Sequence, residues 1–175
     1  MNLPRNISDI KAVVLDVDGV LTDGRIGYGG GGSPREIKFF DVRDGQGIRL
    51  ALRAGLQVGI LSGRKSQANR VRAKELGLSF LYEGCLDKLA GWEQMLADLG
   101  LKPEECMYIG DDVVDMPPMR RAGFPVAVAD AAPELDSVAM FRTQHFGGRG
   151  AVREAIEILL KGQGKWDSVL EKYML

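Results

Sequence analysis

The sequence predicts an α/β fold built on a doubly wound parallel sheet, and three observations carry the prediction. Short apolar runs, Val13–Leu15 and Gln57–Leu61 among them, lack the alternation of a half-exposed strand and suit strands covered on both faces. Amphipathic segments of helical period separate these runs, so strand and helix alternate along the chain. Each run ends abruptly in a polar turn, and the carboxyl ends of the strands are where open α/β sheets place their ligands.

The first run closes in Asp16-Val17-Asp18-Gly19-Val20, two carboxylates set two residues apart and aimed beyond the sheet edge. Two like charges at that range repel by several kcal/mol at intermediate dielectric, so a cation is expected beside them, and oxygen-only ligands suit magnesium. Next come Asp23-Gly24, Arg25 to Tyr28, the glycine run Gly29 to Gly32, Ser33-Pro34 and Glu36 to Phe40. Two short aromatic and β-branched runs around a glycine-rich turn predict a β-hairpin that projects as a flap over residues 24–40.

Asp44-Gly45-Gln46-Gly47 is expected to cap a helix with Ile48, Ala51 and Leu52 on one face, closed by Gly55. The strand Gln57–Leu61 then ends at Ser62-Gly63-Arg64, followed by a helix to about Leu76 that Gly77 stops. A third strand, Ser79–Tyr82, leads through Asp87-Lys88 into a helix whose Leu89, Trp92, Met95, Leu96 and Leu99 recur at helical spacing, which makes Trp92 a core residue. Glu105–Ile109 is the fourth strand and closes in Gly110-Asp111-Asp112-Val113-Val114-Asp115, a second acidic cluster.

A helix over Met116–Ala122 carries Pro117-Pro118 in its first turn, where proline is tolerated. Phe124–Val128 is a fifth strand and Val138–Phe141 a short edge strand. Gly147-Gly148-Arg149-Gly150 forms a turn before an amphipathic helix with Val152, Ile156, Leu159 and Leu160, and the tail over residues 162–175 is apolar enough to pack on something.

With 175 residues and 45% hydrophobic content, the chain suits one domain with a substantial core. Lysine plus arginine (23) nearly balances aspartate plus glutamate (24), and the charges are dispersed, so neither a nucleic acid nor a membrane surface is indicated as partner. Cys85, Cys106 and the single His145 are too few soft ligands for a zinc site, and a reducing cytoplasm fits best. No run reaches the roughly 18 apolar residues of a membrane span, and Met1 to Ile10 has no signal-peptide pattern.

Asp16 and Asp18, Ser62, Lys88, and Asp111 with Asp112 and Asp115 each stand near the carboxyl end of a strand or at the start of the next helix, and a doubly wound sheet gathers such ends into one crevice. In order, these four stretches resemble the motifs of the haloacid dehalogenase-like phosphatases. The resemblance implies a single domain over 1–175 with a Rossmann-like sheet. It implies Asp16 as nucleophile and Asp18 as general acid and base. Ser62, Gly63 and Lys88 would bind phosphate, Lys88 would also stabilise the transition state, and Asp16, the Asp18 carbonyl and Asp111 would hold magnesium. Asp112 and Asp115 are left open between a supporting role and helix capping.

Too few residues lie between these motifs for a cap domain, so the flap, the tail or a neighbouring subunit must cover the site. The whole chain, including Val42-Arg43-Asp44-Gly45-Gln46-Gly47-Ile48 and Gly147-Gly148-Arg149-Gly150-Ala151, resembles the tetrameric 3-deoxy-D-manno-octulosonate 8-phosphate phosphatases, which produce the free sugar acid of lipopolysaccharide. A small phosphorylated sugar acid is then the expected substrate, with Arg64 and Arg72 binding the sugar or its carboxylate. A nine-carbon sialic-type substrate and a non-catalytic assembly domain are the alternatives within this fold. A response-regulator receiver is disfavoured, because Phe80-Leu81-Tyr82-Glu83-Gly84 offers no phosphoacceptor aspartate.

Overall fold

A computed structural model describes Pro4, residues 7–30 and residues 35–174. Six strands form one parallel sheet: β1 (Ala12–Leu15), β4 (Gln57–Ser62), β5 (Phe80–Glu83), β6 (Cys106–Gly110), β7 (Phe124–Ala127) and β8 (Phe141–Arg142), in the spatial order β5-β4-β1-β6-β7-β8. The chain builds outward from β1 through β4 to β5, then returns to the other side of β1 for β6, β7 and β8. That reversal puts a topological switch point between β1 and β6, the position at which doubly wound sheets open a crevice.

Crossovers run in opposite directions from β1, which in parallel sheets of the usual right-handed connection places helices on both faces. α1 (Val42–Arg53) packs against α2 (Gln67–Leu76) and α5 (Ala151–Gly162), while α3 (Lys88–Leu99) packs against α4 (Met116–Met119). Every residue of β1 and β6 is buried, as a central parallel strand requires. Trp92 is wholly buried and meets the Tyr108 ring edge-on with centroids 5.8 Å apart, a core residue as expected.

The hairpin pairs β2 (Gly27–Gly29) antiparallel with β3 (Arg35–Ile37), with Tyr28 opposite Glu36. Of the expected glycine-rich tip, Gly29 to Gly32 with Ser33-Pro34, residues 31–34 lie outside the described residues and Gly29 ends β2. Between β1 and β4 stand only this hairpin and α1, and between β4 and α3 only α2 and β5, so among the described residues no cap domain interrupts the sheet.

Four local expectations shift. α1 begins at Val42 with Asp41 as its N-cap, accepting from the Arg43 amide at 2.7 Å. Asp44, expected in the cap, lies inside the first turn and is buried; it accepts from the Gly150 and Arg153 amides at 3.1 and 2.8 Å and so ties α1 to the start of α5. The edge strand begins only at Phe141, because the Val138 and Ala139 amides close the turn at Pro133–Ser137 by donating to the Leu135 carbonyl. α4 spans only Met116–Met119, with its prolines in the first turn.

The tail packs on its own chain. In α6 (Trp166–Leu170) Val169 is buried, and its carbonyl accepts from Arg53 Nη1 at 3.2 Å. Tyr173 Oη accepts from Gln46 Nε2 at 2.6 Å, so the tail climbs α1 from Arg53 toward the end where the flap is rooted. Among the described residues no helix is long and apolar enough to cross a membrane.

Candidate active site

β1 delivers Asp16 directly above the sheet, where its amide donates to the Ile109 carbonyl at 3.1 Å and continues the strand pairing. The chain then turns tightly, with the Val20, Leu21 and Thr22 amides all directed at the Val17 carbonyl. Gly19 adopts φ +94°, and a Cβ there would collide with the Asp111 carboxylate. The turn therefore needs glycine twice over, for its dihedral and for the approach of the second acidic loop. Gly147 lies so close to the Gly19 carbonyl that a side chain would overlap it, and the Gly148 amide donates to Val20 O at 2.8 Å. This contact accounts for the Gly147-Gly148 pair, which braces the catalytic turn from outside.

Lys88 enters from the first residue of α3, behind the Asp87 cap. Its ammonium sits 2.7 Å from Asp16 Oδ2 and 2.5 Å from Asp115 Oδ1 and is almost wholly buried. Asp115 also accepts from the Tyr108 hydroxyl at 2.7 Å and from the Asp111 amide at 3.0 Å. It is a buried hub that holds Lys88 and shapes the acidic loop. Asp112 instead caps the turn Val113–Asp115, accepting from the Val113 amide at 2.7 Å.

The electrostatics of this cluster are unbalanced. Asp16, Asp111 and Asp115 bring carboxylate oxygens within 4.8 Å of one another, and Lys88 is the one ammonium among them. Burial, with Asp115 and Asp16 beside it, pushes the Asp111 carboxyl up to about 8. Burial and Asp115 likewise raise Asp16 to about 6, against the pull of Lys88. Burial opposes the charge on Lys88, but Asp16 and Asp115 outweigh it and hold the ammonium above its ordinary value. Asp111 Oδ1 is buried with no hydrogen-bond partner. An under-neutralised set of hard oxygen donors with one orphaned atom fits a divalent cation such as magnesium.

A second charge cluster borders the first. Lys38, just beyond β3, places Nζ 2.6 Å from Asp18 Oδ1 and 3.3 Å from Glu36 Oε1. Arg64 Nη2 meets Glu36 Oε2 at 2.8 Å, with its Nε 3.6 Å from Asp18 Oδ2. Burial acts to raise the Glu36 carboxyl, but the hydrogen bond from Arg64 and the charge of Lys38 outweigh it and hold it at about 2.

A pocket of about 200 Å³ brings together Asp16, Asp18, Ser62, Gly63, Arg64, Lys88 and Asp111. Ser62 is buried at the end of β4, with its hydroxyl accepting from the Arg64 amide at 3.3 Å. Arg72 does not line this pocket. It lies in an adjoining cleft of about 1010 Å³ between the hairpin and α2. There it pairs with Glu75 at 3.0 Å, donates to the Asp41 carbonyl and covers the Phe40 ring.

Sequence reasoning passed over Lys38, Glu36 and Tyr108. Tyr108 carried a usable signal, since a hydroxyl in a buried strand needs a partner. Lys38 and Glu36 carried none, because only the fold-back of the hairpin brings them to Asp18.

Carboxylates, a lysine and a hydroxyl at the switch point of a parallel sheet define a phosphoryl-transfer site. Residues 42–123 match the family model described as haloacid dehalogenase-like hydrolase. The chain is 46% identical over 159 residues to the 3-deoxy-D-manno-octulosonate 8-phosphate phosphatase KdsC of Escherichia coli (strain K12), covering 91% of this chain and 84% of that protein. The structure of the Moraxella catarrhalis 3-deoxy-D-manno-octulosonate 8-phosphate phosphatase, in complex with magnesium ion, phosphate ion and KDO, superposes with TM-score 0.90 at 38% identity over 95% of each chain. The cobalt-bound phosphatase of Haemophilus influenzae gives TM-score 0.86 at 39% identity, over 91% of this chain and 92% of that one. This chain belongs to the 3-deoxy-D-manno-octulosonate 8-phosphate phosphatase family of haloacid dehalogenase-like hydrolases, and it is a phosphatase.

Proposed function

We propose that this enzyme hydrolyses 3-deoxy-D-manno-octulosonate 8-phosphate to the free sugar acid and phosphate, in lipopolysaccharide precursor synthesis, as one domain over 1–175. The observation that carries the reading is the single pocket that collects Asp16, Asp18, Ser62, Gly63, Arg64, Lys88 and Asp111. The E. coli relative, named for this activity, supports it.

In the first half-reaction Asp16 attacks phosphorus, forming the aspartyl phosphate as the bond to the sugar oxygen breaks, and Asp18 gives that oxygen a proton. In the second, water attacks the same phosphorus, Asp18 takes its proton, and phosphate leaves with Asp16 restored. Ser62, the Gly63 backbone and Lys88 hold the phosphate oxygens, and Lys88 offsets charge that builds in the transition state. Asp115 and Tyr108 keep Lys88 on Asp16. Magnesium, held by Asp16, the Asp18 carbonyl and Asp111, supplies positive charge that offsets the repulsion between nucleophile and phosphate.

Arg64 reaches the pocket directly, and Arg72 lies in the cleft that also contains Lys38. The sugar extends along that cleft in this reading, with its carboxylate toward the arginines. The outer hairpin leaves Tyr28 and Phe39 66% and 78% exposed, an apolar surface that supports pairing of hairpins about a symmetry axis in a homotetramer. Two unpaired cysteines fit a cytoplasmic enzyme.

The test is phosphate release, with and without magnesium, from eight- and nine-carbon 3-deoxy-ulosonate phosphates and from hexose phosphates. Preference for the eight-carbon ester is expected. Equal turnover of the nine-carbon ester, or no turnover of either, would overturn the assignment.

A further inference from the structure

Lysine is rarely fully buried, because its ammonium must be stripped of water. Lys38 is nonetheless buried along its whole side chain, at 0% exposure, on a hairpin only two short strands wide. From the wall of the cleft beside α2 its ammonium reaches Asp18 Oδ1 at 2.6 Å, with Glu36 Oε1 3.3 Å away.

Stability alone is a weak reason for such a pair, since apolar replacement of a buried ion pair is often neutral or stabilising. The geometry does something more specific. It ties one oxygen of the Asp18 carboxylate and leaves Oδ2, which stands 3.6 Å from Arg64 Nε, outside hydrogen-bond distance of a fixed donor.

We propose that Lys38 is a positioning residue for Asp18, fixing its carboxylate so that Oδ2 is the oxygen that exchanges protons with the leaving group and with water. Glu36 pairs with both Lys38 and Arg64, so the same contacts fasten the hairpin base beside Asp18. Placement of the acid is thereby coupled to the seating of the hairpin base. The inference rests on the assignment of Asp18 as general acid and base made above.

Lys38→Met keeps an unbranched side chain one atom shorter and removes its charge. The readout is kcat/KM, which reports the steps through formation of the aspartyl phosphate, on two esters with magnesium present. The sugar-acid phosphate has an alkyl leaving group that needs a proton, whereas an aryl phosphate such as p-nitrophenyl phosphate does not. Positioned general acids are worth about 10²–10⁴-fold, so a loss of about 10- to 100-fold is expected on the alkyl ester and less than about threefold on the aryl ester. In an Asp18→Asn background, Lys38→Met should cost less than about threefold on either, because residues that act through one another are not additive.

Equal losses on both esters, or the same loss in both backgrounds, would show Lys38 to be merely structural or a direct substrate contact and would overturn the proposal. A variant that fails to fold leaves Lys38→Arg, which keeps the charge, to be read on the same two esters, where kcat/KM within about threefold of wild type on both is expected and a collapse on both would count against the proposal. Wild-type protein inactive on both esters would instead overturn the functional assignment itself.

Discussion

Two charge clusters meet at Asp16 and Asp18, and they solve opposite problems. The buried cluster sets Asp16, Asp111 and Asp115 against Lys88 and keeps Asp111 Oδ1 without a partner. The flap cluster sets Asp18 and Glu36 against Lys38 and Arg64, two acids against two cations. Carboxyl groups rise to about 6 and about 8 in the first, while Glu36 falls to about 2 in the second. The flap cluster is balanced in charge and can act as a latch. The unbalanced one carries the excess negative charge that an added cation would offset.

The largest expected effect of breaking this arrangement is at the nucleophile. Asp16→Asn should reduce phosphate release to background, because a neutral amide is a poor nucleophile. Its circular dichroism and melting should stay close to wild type, since the substitution also removes a like charge from the crowd. Magnesium-dependent turnover surviving in this variant would contradict the covalent route.

The two clusters should also respond to pH in opposite senses. Asp16 and Asp111 titrate in the folded, metal-stripped protein above the roughly 3.9 of an unfolded aspartate. The folded state therefore holds protons that the unfolded chain has released, and stability falls as pH rises from about 4 through 6 and 8. Glu36, held below the roughly 4.3 of an unfolded glutamate, contributes stability above that value and loses it as pH falls toward 2. Melting curves of stripped protein should show the decline toward pH 8, and saturating magnesium should flatten it. A decline that magnesium leaves unchanged would place its origin elsewhere.

Tyr108→Phe sharpens the comparison from within the buried cluster. It removes one of the groups that satisfy Asp115 and should cost about 1–3 kcal/mol of stability by denaturant unfolding. It should reduce activity far less than Asp16→Asn, because Lys88 keeps its direct contact with Asp16. The smallest effect is expected from deleting residues 171–175. This removes the Tyr173 contact with Gln46 but leaves buried Val169 in place, so oligomeric state by light scattering should not change. Dissociation on truncation would move the subunit contacts from the hairpin to the tail.

How far each region could be anticipated follows from the range of the interactions that build it. The alternation of strands and helices, Trp92 in the core and the convergence of Asp16, Ser62, Lys88 and Asp111 follow from local pattern, because parallel sheets carry strand ends to one edge. Asp44 reads from sequence as a cap because a cap and a first-turn aspartate look alike, and only the packing of α5 separates them. The role of Asp115 was ambiguous for the same reason, until Lys88 and Tyr108 were found on it. Lys38 and Glu36 lie in a segment whose pairing brings them back some twenty residues in sequence to Asp18, a contact that no periodicity encodes. Arg72, expected at the sugar, lies outside the pocket of the other site residues, and its neighbours Asp41 and Phe40 show that it braces the root of the flap.

The most direct test of the account is a calorimetric titration of metal-stripped protein with magnesium, on wild type and on Asp111→Asn. The imbalance of the buried cluster predicts one magnesium bound per chain in the wild type and binding weakened by at least about tenfold, or lost, in the variant. Wild-type protein that takes up no magnesium, or a variant that binds it as tightly as wild type, would contradict the claim that these carboxylates are assembled around a cation.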